Sequence, residues 1–217
     1  MRLNPSFVLE NHDELKRLIS ENPWATLVST TDAGMVASHY PVVLEDVEGI
    51  SLVSHVGRPD ELLHGLGGRE ILLIIQGPHG YISPGWYDAP DGTRAPNVPT
   101  WNYVTAHFYG VPEILSDEEN YRVLGDLVEH FERVLPEPRL MEGTPENAQY
   151  AQRINVGTVG FRLRPTRVTA KSKLSQNKPD YAVDTVIAEL EGTGPYAQPA
   201  LAAEMRRVHG HRRAARG

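Results

Sequence analysis

Between residues 24 and 76 the chain runs through four short apolar stretches, and the first three are joined by connections of only a few residues. The stretches are Trp24 to Thr30, Met35 to Glu45, Ile50 to His55 and Glu70 to Gln76, with Asp32-Ala-Gly34 and Asp46 to Gly49 as punctuation. A parallel crossover needs a dozen or more residues, so strands joined this closely must pair mostly antiparallel. Two later stretches add to the set. Thr100 to Leu115 carries Trp101, Tyr103 and Phe108, and in Gly157 to Lys171 the residues Val159, Phe161 and Leu163 alternate with Gly160, Arg162 and Arg164. The expectation is a mainly β fold with added helices (α+β), built on six strands.

Helices are signalled by their caps. Asn11 to Asn22 has Asn11 as a cap, Glu14 at capping-box spacing, and Leu15, Leu18 and Ile19 on one face, with Asn22-Pro23 as the stop. Ser116 and Glu119 open the clearest helix, which carries Tyr121, Leu124, Val128, Phe131 and Leu135 at helical spacing until Pro136 and Pro138. Asp180 to Leu190 and Pro199 to Val208 read as two more. Gly77 to Pro99 reads instead as a long ordered loop, because Pro78, Pro84, Pro90, Pro96 and Pro99 oppose both ladders and helices.

The 217 residues, 40% of them hydrophobic, suffice for a substantial core. The absence of cysteine removes disulfides, thiolate metal sites and cysteine nucleophiles, and fits a reducing cytoplasmic setting. No apolar run approaches the roughly 20 residues of a membrane helix. A formal charge of −7 opposes nonspecific binding to nucleic acid. The exception is the C-terminal end: Arg206 to Gly217 holds five arginines and two histidines with no acid, which reads as a solvated end or a phosphate-contacting arm.

Rings on loops are poorly explained by core filling. Two of the three tryptophans, with Tyr40, Tyr81, Tyr87, Tyr103 and Tyr109, lie between residues 40 and 110, in or beside loop-like sequence. They can close a barrel mouth, make a subunit contact or hold a flat conjugated ligand. Ser54-His-Val-Gly-Arg-Pro-Asp-Glu-Leu62 is a strand end, a glycine turn and the start of a short helix, where Arg58 could hold a phosphate. His39, His55, His64, His79, His107 and His130 form no compact metal-ligand spacing, which favours structural or hydrogen-bonding roles. Lys171-Ser-Lys-Leu-Ser-Gln-Asn177 is either a polar connection into a helix or an edge for an anionic ligand. No side chain stands out as an acid, base or nucleophile with a dedicated partner, so no catalytic residue is named.

Four ordered motifs together resemble the PaiB family of FMN-binding negative transcriptional regulators, also described as protease synthase and sporulation negative regulatory proteins. They are Gln76-Gly-Pro-His-Gly-Tyr-Ile-Ser-Pro-Gly-Trp-Tyr87, Val98-Pro-Thr-Trp-Asn-Tyr103, His107-Phe-Tyr-Gly110 and Lys173-Leu-Ser-Gln-Asn177. The resemblance implies a homodimeric, six-stranded antiparallel split β-barrel of the FMN-binding type, with FMN in a groove at the subunit interface. It implies one domain, with a barrel core over about 23–172, a helical extension over about 178–210 and a basic tail at 211–217. Carried onto this chain, Ser38, His39, Tyr40 and Pro41 lie along the isoalloxazine, His55 and Arg58 grip the phosphate, and Gln76 approaches the ring. Trp101, Asn102 and Tyr103, with Lys173, Ser175 and Gln176, complete the site from the second subunit. Asp60 and Glu61 depart from the family pattern and put negative charge beside the phosphate turn. The implied role is flavin-dependent redox chemistry or sensing linked to negative transcriptional regulation. The alternatives are a direct DNA-binding repressor and a haem-binding or haem-degrading split barrel with His79 or His107 as axial ligand.

Overall fold

A computed structural model of the chain describes residues 1–2, 4–94 and 96–214. The chain forms two compact units. One comprises Met1–Glu10, Gly77–Thr105 and Ala170–Gly217; the other comprises Asn11–Gln76 and Ala106–Thr169.

The larger unit begins with α1 (His12–Glu21), whose cap is Asn11: its side-chain oxygen accepts from the Glu14 N–H at 3.0 Å. Leu15, Leu18 and Ile19 form its buried face, as their spacing predicts. Then come β1 (Trp24–Thr31), β2 (Gly34–Pro41), β3 (Val43–Leu44), β4 (Leu52–Gly57), α2 (Arg58–His64) and the start of β5 (Ile71–Ile82). The unit continues through the end of β6 (Thr100–Gly110), β7 (Glu113–Ile114), α3 (Asp117–Glu132), α4 (Pro145–Asn155), β8 (Thr158–Leu163) and the start of β9 (Arg167–Lys173).

Among the described residues nine strands thus stand where the sequence suggests six, in sheets ordered β2-β1-β5-β6-β9 and β3-β4-β8-β7. The pairings β1–β2, β1–β5, β3–β4, β4–β8 and β7–β8 are all antiparallel. The count differs because three expected strands each break in two. Pro41 ends β2, Pro112 separates β6 from β7, and Pro165 separates β8 from β9. Proline cannot donate to a ladder, so each is a natural point for the chain to leave one pairing and start another.

Proline does not stop β5, which continues through Gly77 and Pro78 to Ile82, where a loop was expected. Its register with β1 ends at Ile74, so Pro78 lies beyond the paired stretch on that side and no β1 ladder bond is lost there. The loop begins only at Ser83, with a 3-10 turn over Pro84–Tyr87.

Within the larger unit α3 packs on the four-stranded sheet, and Val43, Val53, Leu115, Val123 and Leu127 form a buried cluster. Ser116 and Glu119 make the reciprocal capping box. The buried face is Asn120, Val123 and Leu127, not the expected stripe of Tyr121, Leu124, Val128, Phe131 and Leu135. Leu124 and Val128 instead line a groove with Tyr150 and Ile154 of α4, a helix not anticipated from the sequence.

The smaller unit holds the 3-10 turn Pro5–Phe7, the other parts of β5, β6 and β9, and the helices α5 (Asp180–Glu191) and α6 (Pro199–Ala214). The C-terminal arginines among the described residues are neither frayed nor a free arm. They belong to α6, which runs six residues beyond the expected end at Val208, and they are engaged: Arg206 with Glu191, Arg207 with Glu204, Arg213 with Asp184 and Arg212 with the Gln176 carbonyl. Positions 215–217 of the expected tail lie outside the described residues.

Candidate functional site

β2 is an edge strand of the five-stranded sheet, so its outer side presents backbone N–H and C=O groups without a neighbouring strand. Successive side chains on a strand point to opposite faces, and this divides Ser38-His-Tyr-Pro41. Ser38 and Tyr40 are engaged by α2. The Ser38 hydroxyl lies 2.9 Å from His64 Nε2, and Tyr40 donates its hydroxyl to Asp60. His39 is exposed and stacks at 6.2 Å and 15° on Trp24, opposite Pro41 in the β1–β2 register. His39 and Tyr40 therefore face opposite sides of the sheet.

Asp60 carries a negative charge two residues beyond Arg58. Its carboxylate accepts the Tyr40 hydroxyl, which directs it toward β2. His64 has no exposed surface, and its other nitrogen lies 2.7 Å from Ser29 Oγ. Burial lowers its pKa, which favours the neutral ring, and that ring bridges Ser38 and Ser29. Sequence reading did not connect His64 with Ser38.

At the end of β4, His55 has its Nδ1 buried without a hydrogen-bond partner among the described residues, and burial lowers its pKa. Gly57 caps α2 without a side-chain hydrogen bond. Arg58, the first residue of α2, is anchored by its N–H to the Gly157 carbonyl at 3.1 Å and by Nε to the Val156 carbonyl at 2.8 Å. Its Nη2 lies 3.7 Å from Asp117 and its side chain stays half-exposed. A neutral imidazole with one unsatisfied nitrogen and a braced guanidinium with free donors is a donor set that suits a phosphate ester. Gln76 is exposed on β5.

The smaller unit collects the other expected residues. Trp101 is about half exposed and tilts against His79 at 5.7 Å, and Tyr103 has the Lys171 ammonium 5.6 Å from its ring centre. Asn102 is fully buried; its amide donates to Ser175 Oγ at 2.9 Å, and the Tyr87 hydroxyl reaches the same oxygen at 2.9 Å. Lys173 donates to the Thr100 hydroxyl and to the Trp101 carbonyl. Gln176 spends its amide within its own turn, accepting from Leu174 N–H at 2.7 Å and donating to the Ser172 carbonyl at 2.6 Å. Asn102, Lys173 and Ser175 line one cavity together with Tyr87, one of the rings expected on a loop, and with Asn97 and Lys178, which carry no local signal in the sequence.

Two antiparallel sheets with helical additions, and a phosphate-suited strand end beside an exposed sheet edge, describe a class of mainly β flavin-binding proteins. In fold the chain is similar to a FAD- and haem-binding protein of Mycobacterium smegmatis, with a TM-score of 0.57 at 18% identity over 86% of this chain and 80% of that one. It is similar at the same TM-score of 0.57, at 13% identity, to a conserved hypothetical protein of Mycobacterium tuberculosis, covering 82% and 94% of the two chains. Residues 1–167 match the family described as "Putative FMN-binding domain". The chain belongs to that FMN-binding family. It is also 29% identical to the Bacillus subtilis protein named Protease synthase and sporulation protein PAI 2, over 85% of this chain and 86% of that protein. The residues at 38–41, 55, 58 and 76 all fall inside the family match, whereas Lys173, Ser175 and Gln176 lie beyond it.

Proposed function

We propose that this chain is a flavin carrier of the split-barrel type. FMN is held with its phosphate at His55 and Arg58 and its ring along the β2 edge, and serves redox chemistry or redox sensing. The observation that carries this reading is the buried, unpartnered Nδ1 of His55 on the strand that leads into Arg58. A buried polar atom without a partner costs about 1–3 kcal/mol, which a bound ligand would relieve. FMN supplies the electron chemistry when bound. The chain's own residues bind and orient it: Arg58 by charge, Ser38 with the hydroxyl that His64 bonds, and Gln76, Trp101 and Tyr103 as further ring contacts.

The proposal includes a homodimer and a cytoplasmic setting. Trp24, Met35 and Leu62 are large apolar side chains left more than 60% exposed on β1, β2 and α2, and a second copy is one way to cover them. In the dimer Trp101 and Tyr103 would come from the second subunit.

The test is a titration of the purified chain with FMN, followed by quenching of flavin fluorescence and by the visible spectrum. Saturable binding that weakens at least tenfold in Arg58→Ala supports the reading; a protein that neither carries nor takes up FMN removes it. A regulatory role through a partner is compatible with this. Direct repression is the weaker reading, because the net charge is −7 and the described arginines of α6 are held by acids or a carbonyl. The likeness to a FAD- and haem-binding protein keeps haem as a second reading, checked by whether a Soret band survives desalting after haem is added.

A further inference from the structure

Phe7, Tyr87, Asn102, Lys173, Ser175 and Lys178 help line a cavity of about 280 Å³ in the smaller unit. Its cations are the informative part. Lys173 contacts only neutral oxygens, those of Thr100 and Trp101. Lys178 donates to the Asn97 side-chain carbonyl and sits 4.5 Å above the centre of the Tyr87 ring. Neither ammonium meets a carboxylate among the described residues, although the chain as a whole carries −7. Two unneutralised lysines in one concavity of an acidic protein make a local positive potential that draws an anion.

The wall between them is built to last. Ser175 has φ 63, a left-handed conformation that residues other than glycine adopt at a cost. It is held there from several sides. Its hydroxyl bonds Asn102 and Tyr87, its carbonyl accepts from the Lys178 N–H at 3.0 Å, and the neighbouring Leu174 and Gln176 carbonyls accept from His209 and Arg212 of α6. Strain that the surroundings over-determine is typical of ligand clamps. Beside these polar groups, Phe7, Pro96 and Val98 supply apolar wall. The volume lies at the small end of ligand pockets, which start near roughly 300 Å³. It suits a compact molecule rather than a whole flavin nucleotide.

We propose that this cavity binds a small organic carboxylate with an apolar body, its charge held by Lys173 and Lys178. Asn102 and Ser175 then shape the wall of this pocket rather than contact FMN. The inference does not depend on flavin binding, and both lysines lie past the family match, which ends at residue 167.

Benzoate is the probe, titrated calorimetrically into the full chain without FMN, with benzyl alcohol as the neutral isostere and inorganic phosphate as the competing anion. Benzoate is expected to bind saturably, benzyl alcohol to bind at least tenfold more weakly, and benzoate affinity to fall with added salt. Lys173→Met and Lys178→Met keep most of the apolar stem and should each weaken benzoate about tenfold, the size of a lost charge-assisted hydrogen bond. Should either variant fail to fold, Lys178→Gln and the salt series on the unaltered chain carry the same comparison. Equal binding of benzoate and benzyl alcohol, affinity untouched by the lysine changes, or phosphate binding without benzoate binding would each overturn the proposal. So would displacement of benzoate by FMN mole for mole, which would make the cavity part of the flavin site. Benzoate binding by a chain that takes up no FMN would uphold the pocket while removing the flavin reading.

Discussion

His64 sits without exposed surface between two serine hydroxyls, Ser29 Oγ at 2.7 Å and Ser38 Oγ at 2.9 Å. A neutral imidazole offers one donor and one acceptor, and the two hydroxyls, each able to donate or accept, satisfy both nitrogens. Ser29→Ala leaves one nitrogen without its partner in a buried place and should destabilise the fold by about 1–3 kcal/mol, read from a urea midpoint shift at unchanged slope. The pH dependence follows from the direction of the pKa. Burial lowers the folded-state value of His64, and of His55 as well, below the unfolded value of about 6.5. Below that pH the unfolded chain takes up protons that the folded chain does not, so stability is full above about 6.5 and declines as pH falls from there. Melting temperatures between about pH 7 and 5 should drop, and His64→Gln should drop less steeply across that window. An identical pH slope in that variant would show that His64 contributes nothing to it.

Among the elements, α3 packs on β8 so closely that Gly160 has no room for a side chain. A side chain at Gly160 would place Cβ 2.7 Å from Asn120 Oδ1 and 3.1 Å from Asn120 Cα. Asn120 cannot easily yield, because its amide donates to Asn155 at 2.8 Å and to Thr158 at 2.9 Å. Gly160→Ala should therefore cost about 1–3 kcal/mol of stability, whereas Ser116→Ala, which removes the cap of the same helix, should cost about 1 kcal/mol. Both are read by urea unfolding, and a neutral Gly160→Ala would mean that α3 does not rest there. The same helix shows what sequence can and cannot carry. Its start was legible because Ser116 and Glu119 form a local signal, as Asn11 does for α1. Its buried face was not, because two apolar stripes run along it and only tertiary partners choose between them. The paired stripe is Val123 and Leu127, beside an asparagine whose bonds reach across to Asn155 and Thr158. The site divided the same way. The turn that carries Arg58 is a local pattern, but the Ser38–His64 pair spans 26 residues and Asn102–Ser175 spans 73, separations that no local pattern encodes.

For the whole molecule, the charge balance and the flavin make opposite demands. The chain carries −7, and FMN brings a phosphate of the same sign, so binding must rest on local donors rather than on the overall field. Arg58 is such a donor: fixed by two carbonyls, half-exposed, and with the nearest acid at 3.7 Å. A ligand that binds the folded state alone stabilises it by about 2.7 kcal/mol at a hundredfold excess over Kd. For a chain of this length that corresponds to a melting shift of about 5–11 °C. FMN should produce a shift of this size in the unaltered chain and a much smaller one in Arg58→Ala. If the flavin lies at a subunit interface, the midpoint should also rise with protein concentration, and light scattering should give a mass of two chains. A shift of full size in a strictly monomeric protein would place the flavin within a single subunit, and Trp101 and Tyr103 of a second copy would then have no part in holding it.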